Sequence, residues 1–169
     1  MDKNLKGLKP EAVWKHFAEI CNIPHPSHEE DAIRAYIVKW AEEKGLEHKI
    51  DEAQNVYVYR PATPSMEDRK GIILQAHTDM VPQKNNDKEF DFSTDPIEAY
   101  VDGEWVTANG TTLGADNGNG AAAALAAAED DVVVSTGGGV PAWRDNMKRM
   151  NAIGQAVYLR RTAEQIASR

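Results

Sequence analysis

A short apolar run that ends on a histidine constrains this chain more than any other feature. Gly71-Ile72-Ile73-Leu74-Gln75-Ala76 reads as a fully buried strand, and it runs directly into His77-Thr78-Asp79-Met80-Val81-Pro82-Gln83. Downstream, the glycine-rich turn Gly114-Ala115-Asp116-Asn117-Gly118 feeds an alanine-rich helix expected from about Asn119 to Ala128. Strands alternating with helices point to an α/β fold, three layers α/β/α around a mostly parallel central sheet. In such sheets ligands gather at the carboxyl ends of strands, where His77 and Asp79 are expected.

The elements before the run are legible from their ends. A helix is expected from Pro10, placed at the first helical position, to about Cys21, with Val13, Phe17, Ile20 and Cys21 on one face. Ile23-Pro24-His25-Pro26 stops it, because proline disfavours the helical state in the residue before it. Ser27 is read as the N-cap of a second helix and Glu30 as its capping-box partner. Ile33, Tyr36, Ile37, Trp40 and Ala41 form its buried stripe, and Gly45 ends it. Leu46–Ile50 and Val56–Tyr59 read as strands around a polar turn, and Ile97–Val101 and Glu104–Thr107 as a hairpin around Asp102-Gly103. His16 and His48 are expected at the surface or half-buried, and Trp14, Trp40 and Trp105 in the core.

Composition narrows the function. The formal net charge is -8, which argues against nucleic acid, since phosphate neutralisation needs clustered Lys and Arg. No window approaches the roughly 20 apolar residues that cross a bilayer, and Met1 to Lys6 is polar, so a cytoplasmic protein is expected. Cys21 is the single cysteine and reads as a small core residue.

The chemistry rests on three side chains. A neutral imidazole such as that of His77 is a good zinc ligand. A carboxylate close by, here Asp79, can orient the ring and raise its basicity. Asp116 lies in a turn whose glycines let backbone approach a ligand. Its two oxygens can bridge a pair of metal ions roughly 3.5–4 Å apart. Taken singly, each has a plain structural reading: a hydrogen-bonded strand end for His77 and Asp79, a helix cap for Asp116. His25 and His28 flank the proline turn, and His28 could approach the same cleft.

Whole strings add to this. His77-Thr78-Asp79-Met80-Val81-Pro82-Gln83-Lys84-Asn85 and Thr107-Ala108-Asn109-Gly110-Thr111-Thr112-Leu113-Gly114-Ala115-Asp116-Asn117-Gly118 resemble the aminoacyl-histidine (Xaa-His) dipeptidases, cytosolic two-zinc peptidases. Cys21 to Glu30 and Asp91 to Ile97 resemble the same family, so the likeness covers about residues 8–130. The resemblance implies that His77 binds one zinc, that Asp79 supports the site as a catalytic residue, and that Asp116 bridges both metals. It implies a small peptide substrate and hydrolysis of dipeptides that end in histidine. It also requires a Glu-Glu pair at the end of the next strand, one glutamate as general base and one as ligand, and a further aspartate and histidine.

At that place the chain carries Val132-Val133-Val134-Ser135-Thr136-Gly137-Gly138-Gly139. Serine and threonine cannot replace a carboxylate base. With Ser135-Thr136-Gly137-Gly138-Gly139, Asp145-Asn146-Met147 and Ala156-Val157-Tyr158-Leu159, residues 132–169 resemble an internal piece of shikimate kinase. That resemblance makes Gly137, Gly138 and Gly139 a candidate ligand-binding turn. The P-loop such a kinase needs, Gly-x-x-x-x-Gly-Lys-Ser/Thr, is not found in the chain. The expected organisation is therefore a dipeptidase-like part, 1–130, joined to a kinase-like strand-helix-strand-helix part, 131–169. Val132–Thr136 is expected to occupy the sheet position of the Glu-Glu strand. Weak metal binding without efficient peptidase activity is expected, against the rivals of an active metallopeptidase and a phosphoryl-transfer fragment.

Overall fold

The structure is a computed structural model, and it describes residues 5–129. The elements expected between Val132 and Arg169, the Gly137-Gly138-Gly139 turn among them, lie outside the described residues. Within them the order is α1 (Glu11–Cys21), α2 (Asp31–Glu43), β1 (Glu47–Ile50), β2 (Val56–Tyr59), β3 (Ala99–Asp102), β4 (Trp105–Ala108) and α3 (Ala115–Glu129). The fold is mixed α/β with two antiparallel hairpins: Glu47 pairs with Tyr59 in the first, and Ala99 with Ala108 in the second. Gly103, at φ 60°, supplies the left-handed residue that the tight second turn needs.

The expected strand Gly71–Ala76 takes a different form. Those residues have no ladder partner among the described ones. Ile72 is 74% and Ile73 61% exposed. A strand is defined by its neighbours, and none of the described segments pairs with this one, so periodicity alone could not decide it. Trp105 corrects a second expectation. It is 77% exposed, because it sits beside the hairpin turn, where the hairpin's outer face meets solvent.

The helices hold the core. α1 follows Pro10, which is the N-cap rather than the first helical residue. It buries Phe17, Ala18, Ile20 and Cys21 in one cluster with Ile33, Met80, Ile97, Ala99, Ala121 and Ala122. α3 packs directly on α1. A Cβ at Gly118 would stand 3.1 Å from the Phe17 ring, so glycine and the alanines after it set the close approach of the two helices.

His16 is buried, not at the surface or half-buried as expected. It lies next to Phe17 on α1 and meets both other helices. Its Nδ1 is 3.1 Å from the Tyr36 hydroxyl, and its Nε2 is 3.4 Å from Glu129 Oε2. Trp40 Nε1 donates to Glu129 Oε1 at 3.0 Å, and Lys44 Nζ lies 2.9 Å from the same oxygen. Burial first, then nearby carboxylates, push the Tyr36 hydroxyl up to about 12, so it remains a proton donor. Partial burial alone pushes the Glu129 carboxyl up, but donation from Lys44 and Trp40 and the neighbouring His16 overcome this and hold it at about 2.

Acid sensitivity follows from that arrangement. Burial is the largest influence on His16; it outweighs Glu129, while Lys15 and Lys44 act in the same direction as burial, and the ring is held below its ordinary value of 6.5. Burial lowers His25 likewise. The folded chain therefore prefers neutral rings. Full stability is expected above about pH 6.5, with progressive loss as pH falls and the unfolded chain takes up the protons. Glu129 stays charged across that range. Thermal melts between pH 8 and pH 5 check this: His16→Gln is expected to flatten the slope, and an unchanged slope would contradict the assignment.

Candidate metal centre

Two strings far apart in sequence are tied side by side, and this places the site. Asn85 N donates to Gly110 O and Thr112 N to Gln83 O, both at 2.8 Å, with Lys84 and Thr111 bridged antiparallel between them. Thr112 Oγ1 donates to Val81 O at 2.7 Å. Running back along this antiparallel register brings Asp116 opposite His77 and Asp79. Gly114, at φ 74°, turns the chain into α3, and its missing side chain leaves room for Met80, whose Sδ would be 3.2 Å from a Cβ there. The backbone at Asp116 and Asn117 is not yet helical, so the carboxylate is free to turn from the helix axis towards His77.

A third strand of chain closes the site from behind. Met80 N donates to His25 O at 3.1 Å and Ser27 N to Met80 O at 3.0 Å, locking the proline turn to the residues after Asp79. Ser27 is not the cap of α2. The N-cap is Glu30, without a side-chain cap bond, and its Oε1 instead accepts from His28 N at 2.7 Å. The Ser27 hydroxyl donates to Asp79 Oδ2 at 2.6 Å. The capping-box spacing was real, but a carboxylate brought from fifty-two positions away was the stronger acceptor for that hydroxyl.

The three residues singled out by sequence meet. His77 Nδ1 lies 3.0 Å from Asp79 Oδ1 and 3.1 Å from the Asp79 carbonyl oxygen. Both are acceptors, so a proton on Nδ1 would be bonded to them. His77 Nε2 faces Asp116 Oδ1 at 3.1 Å. A neutral ring protonated on Nδ1 has only a lone pair at Nε2, and the carboxylate has only lone pairs to meet it. Two acceptors at that separation call for a cation, either the ring's own second proton or a metal ion beside them. Hydrogen bonding from Ser27, with the charge of His77, outweighs slight desolvation and lowers the Asp79 carboxyl. The cleft is open: the Asp116 side chain is 97% and that of His77 47% exposed.

The donor types suit zinc, but the number falls short. Catalytic zinc sites hold about three protein ligands plus water. His77 and Asp116 present two donors, with Asp79 occupied behind the ring. Among the described residues no group of three or more His, Cys, Asp or Glu is placed to hold a metal ion. The described residues therefore do not by themselves complete a catalytic zinc site. His25 is buried beside this site, its Nδ1 donating to Ile23 O at 2.5 Å, whereas His28 is exposed.

The chain is similar to the cytosol non-specific dipeptidase of Escherichia coli (strain K12), 57% identical over 116 residues, which cover 69% of this chain and 24% of that enzyme. It is similar in structure to an aminoacylhistidine dipeptidase from Vibrio alginolyticus, with a TM-score of 0.74 and 53% identity over 76% of this chain and 26% of the other. A tripeptidase from Staphylococcus aureus subsp. aureus Mu50 shares the fold, with a TM-score of 0.57 and 21% identity over 70% of this chain and 31% of that one. The chain thus spans about a quarter of the length of the two dipeptidases. The shikimate kinase family model matches residues 120–169, a range that begins inside α3. Among the described residues no helix is long and apolar enough to cross a membrane.

Proposed function

We propose that this chain carries the amino-terminal part of a zinc-dependent dipeptidase catalytic domain, joined near Glu129 to a shikimate-kinase-like segment, and that alone it binds a divalent cation weakly without efficient peptidase activity. The facing pair His77 Nε2 and Asp116 Oδ1, 3.1 Å apart with Nδ1 already committed to Asp79, carries the reading. In the parent fold these residues would stand at the carboxyl edge of a mostly parallel sheet covered by helices on both faces. The substrate class there would be small peptides, dipeptides with carboxyl-terminal histidine foremost, in the cytoplasm and without nucleic-acid or membrane partners. Zinc, when bound, supplies a Lewis acid and an activated water. The residues present here would hold the ion and orient the imidazole. The base that accepts the water's proton has no counterpart in Val132–Pro141.

Calorimetric titration with zinc, beside an assay on an Xaa-His dipeptide with the same sample, tests this. Weak binding and no turnover are expected. Zinc-dependent turnover would overturn the inactivity, and no zinc binding would overturn the metal reading. The match over residues 120–169 favours a second reading for the tail, in which Gly137, Gly138 and Gly139 contact a shikimate-like ligand. Titration with shikimate separates the two.

A further inference from the structure

We infer that Ser27 is a positioning residue of the His77 site: its hydroxyl holds Asp79 Oδ2, so that Oδ1 stays on His77 Nδ1 and Nε2 stays turned towards Asp116. The inference deepens the metal reading above and rests on it for its purpose, though not for its test. Ser27 has one hydroxyl proton and two acceptors in reach. Asp79 Oδ2 is 2.6 Å away and Met80 O is 3.3 Å, so the proton goes to the carboxylate. A carboxylate can rotate, and an unpinned one would share its oxygens between the ring and solvent. With Oδ2 taken by Ser27, Oδ1 is left facing Nδ1 at 3.0 Å.

Ser27 can do this because its own backbone does not move freely. Ser27 N donates to Met80 O, Met80 N donates to His25 O, and Pro26 and Met80 form a parallel bridge. Donor and acceptor are thus carried on two segments stitched together within one residue of each. Partners of this kind behind a ligating histidine fix its tautomer and orientation. The hydroxyl bonds Asp79 Oδ2 while the ring bonds Oδ1, so its influence on the ring passes through Asp79.

Asp79's own carbonyl is a competing acceptor for Nδ1, at 3.1 Å, and Asp116 Oδ1 competes for the proton at Nε2, also at 3.1 Å. The test decides between them. The full chain, labelled with nitrogen-15 at histidine and free of metal, is examined by long-range proton–nitrogen correlation at about pH 8, where an ordinary imidazole is neutral. Wild type is expected to show His77 with the proton on Nδ1. Ser27→Ala is expected to shift the tautomer ratio about tenfold towards Nε2–H, the size of one lost charge-assisted hydrogen bond. Ser27→Thr, which keeps the hydroxyl, is expected to restore it. If Ser27→Ala does not fold, Ser27→Cys, a weak donor of nearly the same shape, takes its place. An unchanged tautomer in the variant that folds overturns the inference, even if its melting temperature drops. Because the measurement contains no metal, it fails or succeeds apart from the zinc titration.

Discussion

Phe17→Ala is expected to lose about 3–5 kcal/mol of folding stability. The ring is 1% exposed. It meets Trp14 edge-on, with centroids 5.9 Å apart, and it lies against the backbone of Gly118. Truncation leaves a hole between two helices whose spacing is also fixed by the contact of His16 with Glu129, which limits collapse into it. Domains of this size hold only about 5–15 kcal/mol in reserve, so the variant should unfold at markedly lower urea. Trp105→Ala is the control, with a change within about 0.5 kcal/mol expected at so exposed a position. Equal urea midpoints for Phe17→Ala and wild type would mean that the α1–α3 contact is not a source of stability.

The second large effect concerns binding. His77→Ala should weaken zinc or cobalt binding by more than about 100-fold, beyond the 10- to 100-fold typical of losing a supporting residue. Asp116→Asn should act in the same direction, since the amide is neutral and keeps only one of the two donor oxygens. Neither change should harm the fold, because both side chains are exposed and such pairs contribute about 0–1 kcal/mol. Circular dichroism and cobalt absorption on the same samples separate loss of binding from loss of structure. Cobalt affinity unaltered in His77→Ala would place the ion elsewhere and remove the basis for the metal reading.

How much of this was legible beforehand depends on the range of the forces involved. α1, α2 and the two hairpins follow from local signals: the proline stops, the apolar stripe of Phe17, Ile20 and Cys21, and Asp102-Gly103. Gly71–Ala76 was legible as apolar but not as paired, because hydrogen-bonding neighbours are not written in the segment itself. Ser27 carried the spacing of a cap and found a better acceptor through tertiary contact. His16 shared the helical face of Phe17 and Ile20, a signal that could have placed it inside, but its polar partners came from Tyr36 and Glu129 on other elements.

Sequence by itself determined which atoms are available: an imidazole, two carboxylates, and glycines at 114 and 118 small enough for close approach. It also determined that serine and threonine stand where a carboxylate base would be needed. Only the tertiary structure decided that His77, Asp79 and Asp116 meet, and that Ser27 turns to Asp79 rather than to its own helix. The reason is physical: hydrogen bonds of about 3 Å have no reach along the chain, so their partners are chosen by whichever segments the packing of Phe17, Met80 and Gly114 brings together.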